Sequence, residues 1–274
     1  MKGLLKADFR RVLKDKLLLV IGILAVVFAA LTPLLYAIIF TGADIFADDM
    51  LIGIVSGKSQ FFGSFSMGNN LGLIAPVLLG IALCKDFSFG TVRNKVISGK
   101  SRSAIFLSLF ITCSAVLISV MLLHAFLTLG ISLIFFDYQT TPFTMADFWY
   151  FLESLGFELL VLLFVGALLS CLCVWMKNVG LVIVLYIALS FVLVLAGSVT
   201  QVVISLLEIT GDNEKILNVM RFLDRINVGN AVAYIGVGTE YSLKDVLYLT
   251  IPPLAGIGAF LGLGFWKFNR KDLK

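Results

Sequence analysis

The fold is decided by residues 17–40, which read LLLVIGILAVVFAALTPLLYAIIF and contain no charged side chain. A helix rises about 1.5 Å per residue, so these 24 residues are long enough to cross the ~30 Å hydrocarbon core of a bilayer. Five later stretches have the same character. Together they predict an all-α polytopic membrane protein with six transmembrane helices, at about 17–40, 66–84, 105–135, 149–176, 180–207 and 247–266.

The composition agrees with a chain surrounded mainly by lipid. It is 60% hydrophobic and 14% charged, with a mean hydropathy of +1.05, whereas soluble domains carry roughly 25% charged residues. Six spans use nearly the whole length, so we expect one transmembrane domain over residues 1–274. No segment is long enough to fold as a sizeable soluble domain, so chemistry that needs one would come from a partner.

Lysine and arginine are distributed unevenly between the two sides of these spans. Sixteen of the 21 basic residues fall before span one, between spans two and three, after span four, or in the C-terminal tail, and five fall in the other connections. Cytoplasmic connections of membrane proteins are enriched in Lys and Arg. We therefore predict a multi-pass protein of the plasma membrane with both termini in the cytoplasm. The net charge of +4 is polarised in this way and does not indicate nucleic-acid binding.

An amphipathic helix is predicted at residues 1–16, before the first span. Four apolar residues share one helical face and four basic residues crowd the other: Leu5, Phe9, Val12 and Leu13 against Lys6, Arg10, Arg11 and Lys14. Such a helix lies in the membrane interface, with its basic side near anionic lipid. It serves either as an anchor alone or as an anchor that also contacts a protein partner.

The outer side is predicted to carry a helical segment at residues 208–246, between spans five and six. Apolar residues recur there at helical spacing and predict one or two short helices packed on the outer ends of the spans: Ile216, Val219, Met220, Leu223 and Ile226. Capping boxes at Thr144–Asp147 and Ser242–Asp245 predict where the fourth and sixth spans begin on this side.

Several kinds of site are excluded by the motifs. The Gly-Lys-Ser triplets at 57–59 and 99–101 lack the earlier glycine of a phosphate-binding loop, because Ile52 and Asn94 stand in its place. A single histidine excludes a multi-His metal site within one chain, and the four cysteines lack zinc-ligand spacing. We therefore expect no enzyme activity, metal or cofactor in this chain.

Two ionisable residues are predicted inside spans, His124 in the third and Glu158 in the fourth. Ionisable groups at this depth cost about 2.5–3.5 kcal/mol and usually face a bundle interior or a cavity. Three alternatives are open. The two residues line a substrate path or gate, they satisfy each other through a direct contact, or a protonated Glu158 packs against a neighbour.

The sixth span contains Gly258 and Gly262, which form a small-xxx-small pair. Small residues at this spacing let two helices approach closely in a membrane. The approach is either to another span of the same chain or to a second copy of the protein.

The connection between spans two and three is the most informative polar segment. Residues 85–103 read KDFSFGTVRNKVISGKSRS, whereas a helical hairpin requires only about 2–8 connecting residues. Basic residues mix there with apolar residues at near-helical spacing. The pattern is typical of an amphipathic helix presented to a cytoplasmic protein, and an ordinary basic loop is the alternative.

This segment resembles the ABC-2-type permeases, the membrane subunits of certain ATP-binding-cassette transporters. It is most similar to the branch that protects cells against bacitracin and lantibiotics. The family pattern has an acidic residue, Gly-Thr, a basic residue and a Ser-Arg cluster before span three. The matching residues here are Asp86, Gly90, Thr91, Arg93, Gly99, Lys100, Ser101 and Arg102. The family more often has Glu where Asp86 stands.

The resemblance implies a transport function. Two permease copies, identical or paired with a sister chain, would enclose a path for an amphipathic peptide or peptide-like antimicrobial. A separate ATPase subunit would bind ATP and Mg, and residues 85–103 would be its coupling segment. Phe87 and Phe89 would fill a groove on the ATPase, while Arg93 and Lys95 would meet its acidic groups. A stand-alone carrier or channel, and a membrane sensor or scaffold that transports nothing, are the alternatives.

Overall fold

The computed structural model describes residues 2–42, 55–139, 141–176, 178–211, 213–238 and 240–270. Within these ranges every regular element is a helix and no strand occurs, so the all-α prediction is confirmed. Lys177 and residues 271–274, which entered the charge count, lie outside the described residues.

The helices follow one another with short connections. In chain order they are α1 (Lys2–Leu13), α2 (Lys16–Gly42), α3 (Gly57–Gly63), α4 (Asn70–Ser88), α5 (Thr91–Ile97), α6 (Arg102–Phe135), α7 (Met145–Met176), α8 (Val179–Thr210), α9 (Glu214–Ile226) and α10 (Leu243–Arg270), with a 3-10 helix (Val228–Ala233) before α10. Six of them, α2, α4, α6, α7, α8 and α10, are long and apolar enough to cross a membrane. They match the six predicted spans to within four residues at each end.

Both predicted capping boxes are present. The backbone N–H of Thr144 donates to Asp147 Oδ2 (2.8 Å), and the N–H of Asp147 donates back to Thr144 Oγ1 (3.4 Å). Ser242 and Asp245 make the same reciprocal pair, at 3.1 and 3.2 Å. Each box satisfies two amides that would lack a partner in the first helical turn, which fixes the starts of α7 and α10.

The centre of the bundle is formed by α4, α6 and α7. More than half of the residues in the most hydrophobic stretch of each are buried, whereas in α2, α8 and α10 only 22%, 17% and 11% of those residues are buried, so these three present most of their surface outward. The close approach of α6 to α7 depends on Gly166, since a Cβ there would lie only 2.2 Å from Ser114 Oγ.

Both termini of the described chain lie at one end of the bundle, because Leu4 of α1 and Phe268 of α10 belong to one buried apolar cluster. We call this the basic end; α5 also lies there. The distal end carries α3, α9 and the 3-10 helix. There the N–H of Gly57 donates to the carbonyl of Asp137 (2.9 Å), and Lys58 Nζ donates to the carbonyl of Gly238 (2.8 Å).

Helix α9 confirms the helix predicted between spans five and six, and it packs on α8 and α10 as expected. Of its apolar stripe, Met220 and Ile226 are partly buried, whereas Ile216, Val219 and Leu223 are 44%, 54% and 43% exposed. Much of the stripe therefore faces away from the chain, as in a helix lying on a bilayer surface.

A buried carboxylate holds α9 in place. Asp224 is 1% exposed and accepts hydrogen bonds from Thr200 Oγ1 (2.6 Å), Asn230 Nδ2 (2.8 Å) and the Tyr234 hydroxyl. These donors lie on α8, on the 3-10 helix and directly after it. Since a buried carboxylate must have such partners, the polar side of α9 is the side that determines its position.

We predict that Gly166→Val destabilises the protein by about 1–3 kcal/mol, the usual cost of overpacking. The new side chain would meet Ser114 Cβ and Cα at 3.2–3.3 Å even after Oγ rotates away. The matched control is Gly156→Val on the same helix, where a Cβ meets nothing within 4 Å. Thermal unfolding in detergent micelles, followed by tryptophan fluorescence, measures both; equal midpoints would contradict the assigned contact.

Candidate functional site

Helix α1 turns one narrow face to the bundle. Leu4, Asp8 and Val12 follow one another at one-turn spacing and are all buried. Of the apolar face predicted from the sequence, Val12 points inward, Leu5 is half-buried and Leu13 is 63% exposed. The protein therefore holds α1 along a line rotated from the predicted face, and an acidic residue lies at the middle of that line.

Four charged side chains meet where α1 packs on α4 and α5. We call them the ionic cluster: Asp8 and Arg11 of α1, Asp86 of α4 and Lys95 of α5. Lys95 Nζ lies 2.6 Å from Asp8 Oδ1 and 3.5 Å from Asp86 Oδ2. Arg11 pairs with the other oxygen of Asp86. Ser108 Oγ of α6 donates to Asp8 Oδ2 at 2.7 Å. The cluster thus joins α1, α4, α5 and α6.

The ionic cluster has no net charge and is largely shielded from water. Asp8 and Asp86 are 3% and 1% exposed, and the Lys95 side chain is 14% exposed. Burial lowers the pKa of Lys95, and the hydrogen bond to Asp8 counteracts this. Because an isolated charge at such depth is very costly, each member depends on its opposite partner.

A second ion pair joins α4 to the turn between α1 and α2. Lys85 Nζ lies 3.0 Å from Asp15 Oδ2, and the N–H of Leu17 donates to Asp15 Oδ1 at 3.0 Å. Burial acts to raise the pKa of Asp15, but the Leu17 amide and the Lys85 ammonium outweigh it and lower the pKa. Arg11 in the last turn of α1 and Asp15 just after it are therefore both attached to α4 by charge.

Two glycines in the left-handed conformation bracket α5. Gly90 has φ 69° and connects α4 to α5, while Gly99 has φ 79° just after α5. The N–H of Lys100 donates to the carbonyl of Lys95 (3.2 Å), and that of Gly99 donates to Val96 (2.9 Å), which is a Schellman ending. Residues with a Cβ pay about 1–2 kcal/mol for this conformation. The two glycines therefore define where α5 begins and ends.

The two sides of α5 have different surroundings. Val92 is 2% exposed and packs in the apolar cluster with Leu4 and Phe268. On the other side Arg93 is exposed, and Ile97 is 73% exposed. Phe89, just before α5, is 77% exposed. Exposed apolar side chains beside a basic residue form a surface suited to a protein partner.

Two of the predicted partner contacts are already engaged inside the chain. Lys95 belongs to the ionic cluster, and the Phe87 ring packs against the Phe268 ring at 6.3 Å between centroids. Arg102 Nη1 donates to the carbonyls of Phe268 and Asn269 (3.3 and 2.8 Å), at the end of α10. Here the structure differs from the expectation for Phe87 and Lys95: both hold the segment in place, and Phe89 and Arg93 are the residues that face outward.

No family model matches the chain, and none of the curated proteins matches it significantly. The similarity to the ABC-2-type permeases therefore rests on the sequence pattern of residues 85–103, together with the amphipathic helix before span one, the six spans, the segment before span six and the basic C-terminal tail. The structure adds residues that the motif did not single out, chiefly Asp8, Asp15 and Ser108. One signal pointed to Asp8: it is an acidic residue one turn from both Leu4 and Val12.

His124 and Glu158 do not contact each other as an ion pair in the described structure. His124 is 2% exposed, and its Nδ1 lies 3.0 Å from the carbonyl of Ala25, so it joins α6 to α2. Glu158 is fully buried, and neither of its carboxylate oxygens has a hydrogen-bond partner among the described residues. The direct-contact alternative is wrong, and Glu158 is left as an unpartnered buried acid.

The glycines of α10 divide into two pairs. A Cβ at Gly256 would lie 2.4 Å from the Phe164 ring, and one at Gly264 would lie 2.3 Å from the Phe106 ring, so these two permit packing within the chain. Gly258 and Gly262 would meet nothing within 4 Å. The predicted small-residue pair therefore faces away from the described chain, toward lipid or a second copy.

We predict that Lys95→Met loosens α1 at its middle, although Arg11 and Asp15 still hold its C-terminal end to α4. Removing one partner of a buried ion pair costs about 3–5 kcal/mol, and Asp8 would retain only Ser108. Hydrogen–deuterium exchange of residues 2–13 in nanodiscs should rise strongly, while Arg93→Met, at an exposed site on the same helix, leaves it unchanged. The double variant Asp8→Asn/Lys95→Met should recover part of the protection, and a failure to do so would contradict the pairing.

We predict that Glu158→Gln changes the free energy of unfolding by less than about 1 kcal/mol, since glutamine has the same shape and brings no charge into hydrocarbon. Glu158→Lys should cost more than about 2.5 kcal/mol. Glu153→Gln, at an exposed site on α7, is the control. A large loss of thermal stability in Glu158→Gln would show that the carboxylate has a charged partner.

Proposed function

We propose that this chain is the membrane-spanning permease subunit of an ATP-driven exporter of the ABC-2 type, energised by a separate ATPase. The observation that carries the proposal is the two-sided arrangement of α5. Arg93 is exposed on one side and Phe89 is exposed just before the helix, while Val92 and Lys95 fix the other side to the bundle. A helix presented in this way can receive a partner and pass its movement on to the spans.

The ionic cluster supplies the connection that such a mechanism requires. Lys95 on α5 bonds to α1 and α4, and Asp8 on α1 bonds to α6 through Ser108. Asp15 continues the connection from Lys85 to the start of α2. A partner that displaced α5 would therefore move the ends of three spans together. ATP binding can shift the spans between two states only if the partner contacts α5 differently in each state.

The surface around α5 also favours an acidic partner. A groove of about 270 Å³ lies between α1 and the end of α4, and Phe89 and Thr91 contribute to its wall. Arg93, Lys100 and several basic residues of α1 are exposed around it. Charge complementarity of this kind accelerates association and selects the partner. An acidic surface with an apolar pocket for Phe89 is the chemistry that we expect on the ATPase.

The cargo, the second permease copy and the location follow from the resemblance and the charge pattern. We propose an amphipathic peptide or peptide-like antimicrobial as substrate, moved between two permease copies in the plasma membrane, with the basic end in the cytoplasm. The outward-facing Gly258 and Gly262 offer one face for the second copy. In this scheme Glu158→Gln changes transport more than it changes folding.

The first test is purification from native membranes in mild detergent, followed by mass spectrometry of the co-purifying proteins. We expect a soluble ATPase with a phosphate-binding loop in near-equal amount. Stimulation of its ATP turnover by substrate would distinguish an exporter from a scaffold. Recovery of the chain alone, in a detergent that preserves a known transporter complex, would contradict the proposal in favour of a carrier or scaffold.

A paired variant tests the surface itself. Phe89→Asp/Arg93→Glu should abolish co-purification of the ATPase without lowering expression, because both side chains are exposed. The matched control, Lys215→Glu/Ile216→Asp, places the same kinds of change on exposed residues of α9 at the distal end and should leave the complex intact. Unchanged binding and activity in the Phe89/Arg93 variant would make the coupling assignment wrong.

A further inference from the structure

A cavity of about 680 Å³ lies at the distal end and takes no part in the proposed coupling. Its walls come from α2, α3, the turn at 64–69, the first residue of α4 and Val194 of α8, and none of the described residues that line it is charged. The volume falls within the range of roughly 300–1,000 Å³ that is typical of small-molecule sites.

Helix α3 forms one wall of the cavity because its two faces differ. Phe61, Phe62 and Phe65 are at most 1% exposed and belong to the main apolar core. Ser59 and Gly63 lie on the cavity side, and a Cβ at Gly63 would meet nothing within 4 Å. The buried aromatic side chains fix α3 against the core, so the cavity wall is formed without a ligand.

The lining has a polar part and an apolar part. Thr32, Ser59, Gln60 and other uncharged polar residues of α2, α3 and α4 supply hydroxyl and amide groups. Gln60 Nε2 donates to the carbonyl of Val55 at 2.7 Å, and this hydrogen bond holds the side chain in place where it lines the cavity. Leu35 and Ile39 form the apolar part and are 49% and 56% exposed on the outer face of α2.

We propose that this cavity binds an uncharged amphiphile that carries one acyl chain and a hydroxyl head, the class represented by a monoacylglycerol. The ligand enters sideways from the bilayer past Leu35 and Ile39, and its head forms hydrogen bonds with the hydroxyl and amide groups of the polar wall. Anionic amphiphiles bind less well, because no Lys or Arg among the described lining residues can pair with their charge. The site belongs to this chain alone, so its test needs no ATPase and is independent of the proposed transport function.

The experiment uses the purified full chain in phosphatidylcholine nanodiscs and a monoacylglycerol that carries a diazirine and an alkyne. After photolysis, adducts are mapped by mass spectrometry. We expect adducts concentrated on the peptides that contain residues 32–39 and 59–69. Excess monoolein should suppress them, while the same excess of oleate, its anionic counterpart, should suppress them far less.

Two variants narrow the cavity, and each has a matched control. Gly63→Leu places a side chain in open space, and Gly130→Leu does the same on the exposed side of α6. Val194→Phe enlarges a cavity residue, and Val192→Phe enlarges a 61% exposed neighbour on α8. Labelling should fall about tenfold in each cavity variant, equivalent to about 1.4 kcal/mol of binding, and should persist in both controls.

Three results would overturn the assignment. Adducts spread evenly over all the spans would show ordinary lipid contact. Equal suppression by oleate and monoolein would remove the argument from charge. Labelling that persists in Gly63→Leu and Val194→Phe would place the ligand elsewhere. Size-exclusion profiles and unfolding midpoints confirm that each variant is folded before it is labelled, and the two variants on different helices make the result independent of either one.

Discussion

The hydrocarbon core of a bilayer offers no water to a peptide group or an ion, so polar groups inside the spans must find partners within the protein. Six spans satisfy their own backbone, while most of the charges gather at the two ends of the bundle. The ionic cluster lies at the basic end, and the hydrogen-bonded Asp224 lies at the distal end. His124 fits the constraint through its bond to the carbonyl of Ala25. Glu158 does not fit it, since neither of its carboxylate oxygens has a hydrogen-bond partner among the described residues.

Buried charges also fix the orientation of the segment that follows α4 at the basic end. Connections between helices are usually more mobile than the helices themselves. Here residues 89–101, between α4 and α6, are held in place by the buried charge of Lys95 and by the buried Val92. Gly90 and Gly99 limit the region that can turn to the short helix between them. The exposed residues Phe89 and Arg93 therefore sit on a part of the chain whose orientation is set by α1, α4 and α6.

Much of the fold follows from periodicity and local chemistry. Uninterrupted apolar length predicts the spans, and the boxes at Thr144 and Ser242 predict two helix starts, because both signals are contained within a few neighbouring residues. Partners distant in sequence cannot be read in this way. Lys95 and Asp8 are 87 positions apart, and an amphipathic pattern around Lys95 shows that it is polar without showing what it meets. For this reason the sequence assigns Lys95 to a partner protein rather than to Asp8.

Spacing also identifies a stripe of small residues without telling which neighbour it faces. Gly258 and Gly262 have the spacing of a contact pair, yet the contacts belong to Gly256 and Gly264, because the rings of α7 and α6 happen to meet α10 there. On α9 the apolar stripe was correctly recognised as helical, but the placement of the helix depends on Asp224, whose donors come from distant or irregular parts of the chain. Which neighbour a helix face meets is therefore decided by tertiary packing, which the local sequence does not show.

The depth of the ionic cluster has a consequence for how the molecule responds to salt. Mobile ions screen charges in water within about 8–10 Å at physiological ionic strength, but they hardly reach a pair buried under a helix. Lys95 and Asp8 therefore keep α5 oriented over a wide range of salt concentrations, whereas the exposed Arg93 loses much of its attraction for an acidic surface as salt rises. Ionic strength therefore acts differently on the two interactions. Concentrated salt weakens the binding of a partner to Arg93, while the position of α5 is unchanged.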